Sequence, residues 1–118
     1  MALNRAVRLR KSGDFQRVRQ QGRSVASRLL ILAWSPNDVA QLRVGFVVSK
    51  RISKHAVMRN YIKRLLGEAI RPVLADLPVG LDVVLSARSQ ILQCDLPTLT
   101  LDVATLLRRA RLLGSGPA

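Results

Sequence analysis

Six cations, Lys50, Arg51, Lys54, Arg59, Lys63 and Arg64, crowd into residues 50–64, with Asn60 among them. Guanidinium forks pair with phosphate oxygens two at a time, and an asparagine amide can reach phosphate, sugar or base. Glu68 is the sole acid between residues 50 and 71, so the cations are not neutralised by their neighbours in the chain. Charge on a helix is often only a solvated face, but here the shortage of acids favours a polyanionic partner.

Hydrolytic chemistry borne by the protein is poorly supplied. His55 is the only histidine, which removes a two-histidine metal site. At the start of a basic helix it reads as a cap or a phosphate contact. The carboxylates are Asp14, Asp38, Glu68, Asp76, Asp82, Asp95 and Asp102, scattered over predicted turns, caps and helix exteriors. A two-metal nuclease instead converges several on ions ~3.5–4 Å apart. The serines have no His–Asp partner set, and no glycine-rich phosphate loop follows a strand. Cys94 precedes a helix N-terminus and reads either as a thiol of lowered pKa or as a buried structural one. Phe15 is either a platform for stacking a base or a core anchor, Phe46 is core, and Trp34 is core rim or surface.

The basic stretch from Lys54 to Arg71 has helical period. At about 100° per residue, Arg59, Asn60, Lys63, Arg64, Gly67 and Arg71 share one arc. Met58, Ile62, Leu65, Leu66 and Ala69 share the opposite arc, with Ile70 between. The apolar arc is needed for a core, which argues against a membrane-surface peptide. Gly67 in the polar arc is either a drifted surface position or a point of close approach to a bulky backbone.

Lys and Arg total 20 against 7 Asp and Glu, a net charge of +13, while hydrophobic residues make up 48%. The chain is therefore no disordered basic tail, and its self-repulsion calls for a polyanion, nucleic acid before an anionic membrane. Its 118 residues suit one domain. The lack of a long apolar run and of a signal-like N-terminus, with a lone cysteine, makes the cytoplasm the expected compartment.

Residues 1–11 read as a basic arm containing Arg5, Arg8, Arg10 and Lys11, residues 12–113 as the domain, and 114–118 as a short tail. Ser12 or Asp14 should cap a first helix that places Phe15, Val18 and Arg19 on one face and ends at Gly22. Residues 28–34 and 42–49 read as strands joined in a hairpin across Ser35–Asp38. The basic helix stops before Pro72. Leu81–Ala87 is a third strand. Asp95 caps a last helix whose core stripe runs through Leu96, Leu99, Val103, Leu106 or Leu107 and Ala110, with Gly114 as its stop. The order αββαβα predicts an α+β domain, a mixed sheet with helices packed on it.

Three segments carry a family resemblance: Leu9–Phe15 (Leu-Arg-Lys-Ser-Gly-Asp-Phe), Arg43–Arg51 (Arg-Val-Gly-Phe-Val-Val-Ser-Lys-Arg) and Ala56–Arg64 (Ala-Val-Met-Arg-Asn-Tyr-Ile-Lys-Arg). In these the chain resembles the protein subunit of bacterial ribonuclease P over roughly residues 8–111. The resemblance implies a ribosomal-protein-like fold with a left-handed βαβ crossover, which ordinary chirality would not predict. It implies an endoribonuclease in which a large RNA subunit holds the active site and the catalytic Mg2+, and this chain assists removal of the 5′ leader from precursor tRNA. Arg51, Lys54, Arg59, Asn60, Lys63, Arg64 and Arg71 would then bind the catalytic RNA. Arg10, Lys11, Phe15, Arg19, Ser49 and Lys50 would bind the leader. No catalytic residue, metal ligand, organic cofactor, membrane or obligate protein partner is implied for this chain.

Tyr61 and Gly67 stand where many relatives carry arginine, and Arg19 and Ala33 where they often carry aromatics. A cleft with fewer aromatics leans on charge, since each stack is worth ~1–3 kcal/mol, so leader binding should depend more steeply on salt than in aromatic-rich relatives. A ribosomal or RNA-assembly protein without a nuclease role, and a protein-only nuclease, are the rival readings.

Overall fold

A computed structural model describes residues 8–114 of the chain. Helix α1 (Ser12–Gln21) leads into strands β1 (Arg23–Ala26), β2 (Leu30–Pro36) and β3 (Arg43–Val47). Helix α2 (Ala56–Ile70), strand β4 (Leu81–Ala87) and helix α3 (Leu96–Arg109) follow. The α+β class holds, as one mixed sheet with helices packed on it. The sheet has a strand that periodicity does not reveal: β1 has mostly exposed side chains and forms as the edge partner of β2.

Strand order is β1-β2-β4-β3. The expected hairpin between the strands at 28–34 and 42–49 does not form. β2 turns back on β1, and β4 inserts between β2 and β3, antiparallel to one and parallel to the other. The cause is burial. Leu81 to Leu85 are all buried, on both faces of β4, and only an interior strand can be covered on both sides.

Successive strand residues face opposite ways. Leu30, Leu32, Val44, Val83 and Leu85 join Ile62, Leu66 and Ile70 of α2 and Leu99, Val103, Leu106 and Leu107 of α3 in the main core. The other face is laid out in three rows across β2, β4 and β3: Ser35–Asp82–Arg43, Ala33–Val84–Gly45 and Ile31–Ser86–Val47. There, Val18 of α1 and Leu9 are buried with Ala33 and Val84.

Several element ends differ from expectation. Neither Ser12 nor Asp14 caps α1; Lys11 holds the cap position without a side-chain bond. Gly22 does end α1, and a Cβ there would lie 2.4 Å from the carbonyl oxygens of Val18 and Trp34, so only glycine fits. Met58 is 42% exposed because the first turns of α2 overhang the core, whose contact with the helix begins at Ile62. Asp95 caps α3 as expected, accepting from the Thr98 N–H at 3.0 Å. The helix ends well before Gly114. Arg111 takes a left-handed conformation (φ 61°), and the Arg111 and Leu112 amides donate back to Arg108 and Leu107. Arginine thus fills a position where glycine is usual.

The fold also begins earlier than residue 12. Leu9 is buried and its N–H donates to the Val44 carbonyl at 2.9 Å, laying residues 8–10 along the outer edge of β3. Residues 1–7 of the arm, including Arg5, and 115–118 of the tail lie outside the described residues.

Asp82, grouped from sequence with the carboxylates of turns, caps and helix exteriors, lies in β4 and is fully buried. It accepts from Arg43 Nε at 2.8 Å and Nη2 at 2.9 Å, from Asn37 Nδ2 at 2.8 Å, and from the Arg17 guanidinium. Burial raises its pKa, but hydrogen bonds from Arg43 and Asn37 and the charges of Arg43 and Arg17 outweigh it, holding the carboxyl below its ordinary value. A carboxylate depressed on folding stabilises the protein above its unfolded pKa of about 3.9, and that stability is lost as pH falls through the folded pKa. Asp82→Asn should therefore cost about 3 kcal/mol at neutral pH, by leaving the arginines without a countercharge. It should also flatten the fall in stability below about pH 4. Denaturant unfolding across acid and neutral pH checks both.

Candidate nucleic-acid interface

A groove of about 510 Å³ opens between the residue 8–10 segment and α2. Asn60, Lys63, Arg64 and Gly67 follow at helical spacing on one face of α2 and form one wall. Arg8, Leu9 and Arg10 form the other, with Phe15, Val44, Gly45 and Phe46 between. Gly67, expected on an open polar face, is buried in this lining.

Phe15 is held by a glycine. A Cβ on Gly45 would lie 2.4 Å from Phe15 Cζ and 3.1 Å from Leu9 Cβ, so the ring rests on β3 only because residue 45 has no side chain. Phe15 is half-buried and still lines the groove. It is therefore both a packing residue and an aromatic edge open to a ligand. Phe46 and Trp34 pack against the main core, whereas Tyr61 is 53% exposed on α2, outside the groove lining.

The groove joins residues expected to serve two partners. Arg10 and Phe15 come from the leader set, and Asn60, Lys63 and Arg64 from the set for the RNA subunit. Other expected residues lie elsewhere. Lys11, at the cap position before α1, and Arg19 on that helix are exposed, and Ser49, Lys50, Arg51 and Lys54 are exposed on the β3–α2 connection. Arg59 is half-buried and donates from Nη1 to the Ser53 carbonyl at 3.0 Å, pinning that connection to the helix. Arg71 follows the last residue of α2 and pairs with Glu68 at 3.3 Å. Arg8 and Leu9 were not singled out as interface residues by sequence; an isolated leucine among cations was the available signal.

The electrostatics are one-sided. Asp14 pairs with Arg17 at 3.9 Å and Arg43 at 3.6 Å. Among the described residues, Arg10, Lys63 and Arg64 form no ion pair. No group of three or more His, Cys, Asp or Glu positioned to hold a metal occurs among the described residues. Burial, helped by Asp95, pushes the Cys94 thiol up, which weakens it as a nucleophile.

Such a fold and groove define a basic α+β domain suited to a nucleic-acid backbone. Comparison with known proteins narrows the class. The chain belongs to the ribonuclease P protein family: the Ribonuclease P family profile matches residues 3–111. The ribonuclease P protein component of Caldanaerobacter subterraneus subsp. tengcongensis is 39% identical over 90% of both chains. That of Chloroflexus aurantiacus is 42% identical over 94% of this chain and 82% of its own. Among solved structures, the Staphylococcus aureus RNase P protein superposes with a TM-score of 0.81 at 28% identity, covering 93% of this chain and all (100%) of that one.

Gly45→Ala should displace the Phe15 ring and cost about 1–3 kcal/mol through overpacking. Thermal unfolding and a crystal structure of the variant test this; an unmoved ring at wild-type stability would contradict it.

Proposed function

We propose that this chain is the protein subunit of ribonuclease P. In this reading it binds the catalytic RNA and the 5′ leader of precursor tRNA, and aids Mg2+-dependent hydrolysis that releases the mature 5′ end. The groove carries the proposal, because it sets Arg10, Lys63 and Arg64, free of ion pairs within the described residues, beside the Phe15 edge. The guanidiniums and the Lys63 ammonium would pair phosphates, Asn60 would contact sugar or base, and Phe15 would stack. Exposed Lys11, Arg19, Ser49, Lys50, Arg51 and Lys54 would extend the contact to either side.

The protein's acids suit structure better than metal binding. Asp82 is taken up by Arg17, Arg43 and Asn37, Asp95 by Thr98 and Asp102 by the Ser27 hydroxyl. These three carboxylates are engaged within the fold. On this reading the Mg2+ ions and the catalytic centre belong to the RNA subunit, as the family resemblance implies, and the complex acts in the cytoplasm.

Cleavage of a precursor tRNA at low Mg2+ by catalytic RNA alone, protein alone and both together tests the proposal. Activity confined to the combined sample is expected. Cleavage by the protein alone would overturn it, and absence of stimulation would favour a role on another structured RNA. Lys63→Ala should weaken assembly and lower the log–log salt slope by about 0.7–0.9. Phe15→Ala should weaken precursor tRNA more than mature tRNA; equal losses would mean a purely structural ring.

A further inference from the structure

Leu101 is 70% exposed near the middle of α3, on the side of the helix opposite the buried Leu99, Val103, Leu106 and Leu107. A lone exposed leucine needs no explanation, but the surroundings of this one are built. Thr98 and Thr105 flank it at helical spacing. The Thr105 hydroxyl donates back to the Leu101 carbonyl at 2.8 Å, so its polar atom is taken up within the helix. Thr98, Leu101, Asp102 and Thr105 form one wall of a concavity of about 810 Å³. The other side is the β1–β2 turn and the segment before α3, where Leu29 and Cys94 are half-buried.

Charge along α3 is polarised. Asp95 stands at its start, and Arg108 and Arg109 in its last turn. Arg109 is engaged, donating from Nη1 to the Ala26 carbonyl at 3.0 Å. Arg108 is exposed, and neither it nor Asp95 forms an ion pair among the described residues. The lining of the concavity carries Asp95 and Asp102 against a single cation, Arg28. A chain of net charge +13 repels its own copies, and on this face that repulsion is locally absent.

We propose that this face is a contact between two copies of the chain, paired through antiparallel α3 helices about a two-fold axis. Residues i, i+3, i+4 and i+7 of a helix frame a hole that accepts one side chain of a facing helix. Thr98, Leu101, Asp102 and Thr105 are such a set, and the side chain that the two-fold brings to it is Leu101 of the second copy. The same register aligns the charges. At about 1.5 Å per residue, Arg108 lies about 10 Å beyond Leu101, and Asp95 about as far before the centre of the hole. Antiparallel packing therefore sets Arg108 of each copy against Asp95 of the other and opposes the two helix dipoles. Two acids in the lining disfavour RNA as the occupant. A contact of one helix and the concavity beside it is smaller than the roughly 800 Å² per partner of a standard interface, so the pairing is weak and depends on concentration. Because α3 packs over β1 and β2, whereas the basic groove opens between α2 and the outer edge of β3, a pair keeps both grooves accessible.

Sedimentation equilibrium of the full chain tests the pairing, at ~0.15 M salt, where a Debye length of ~8 Å screens the remote repulsion. Loaded from about 1 μM to a few hundred micromolar, the chain should show a monomer–dimer equilibrium with a dissociation constant on the order of 10–100 μM. Leu101→Asp should raise that constant about tenfold or more and leave thermal unfolding unchanged, since the side chain is exposed in the single chain. Asp95→Asn keeps a capping oxygen for α3, and Arg108→Gln keeps helix propensity. Each should weaken pairing severalfold, and the double variant no more than either alone, because the two groups act as one pair. A wild-type chain that stays monomeric throughout would overturn the proposal and leave this face to a different protein. Dimers that survive Leu101→Asp would overturn it too, and additive losses from the two charge variants would overturn the antiparallel register. In the reconstituted complex, Leu101→Asp should support cleavage as the wild type does; weakened assembly with the catalytic RNA would give the face to RNA and rule out the pairing.

Discussion

Asp82 draws together Arg17 from α1, Arg43 from β3 and Asn37 from the β2–β3 connection. A buried carboxylate without such donors would be too costly to keep ionised, so these segments have little freedom to sit elsewhere. Arg17 fixes where α1 crosses the sheet. That crossing brings Val18 over Ala33 and Val84, and Phe15 over Gly45. Leu9 packs into the same small cluster and carries Arg8 and Arg10 along the β3 edge, so one wall of the groove depends on an ion cluster outside its lining.

The excess of positive charge divides into two populations. Arg17 and Arg43 meet a buried acid, while Arg59, Arg88 and Arg109 hydrogen-bond to backbone carbonyls, and these side chains shape the fold. Arg10, Lys63, Arg64 and Arg28 have no ionic partner among the described residues and give the surface its character. Repulsion within the second group opposes the folded state, and a polyanion that neutralises it stabilises the fold by mass action as well as being bound.

The sequence makes the α2 surface plain because cations and aliphatics there separate cleanly at 3.6-residue period, and capping chemistry places the start of α3 at Asp95. Pairing between strands is less visible. β1 has no apolar pattern, and the short link between β2 and β3 suggests a hairpin that the doubly buried β4 displaces. Asp82 also escapes a local reading, since its partners stand 39, 45 and 65 residues away. The groove is missed for a related reason: sequence separates the 8–10 segment from α2, and only the edge of β3 brings them side by side. Gly45 and Gly67 carry no side-chain chemistry of their own, yet one seats Phe15 and the other lines the groove.

The strand made last lies inside the sheet. While the ribosome is still adding residues before Leu81, β2 has only the exposed β1 to pair with, and β3 has no neighbour within the four-stranded sheet. An isolated two-stranded hairpin is marginal in water, and α2 has no finished sheet on which to lay its apolar face. Arrival of β4 supplies both missing ladders and the carboxylate for Arg17 and Arg43 together. Assembly is then concentrated in one late step governed by distant contacts, the kind of topology that folds slowly. Until that step the nascent chain presents its cations on an unfinished scaffold, so the surface that meets a polyanion takes shape only once Leu81–Ala87 have been made.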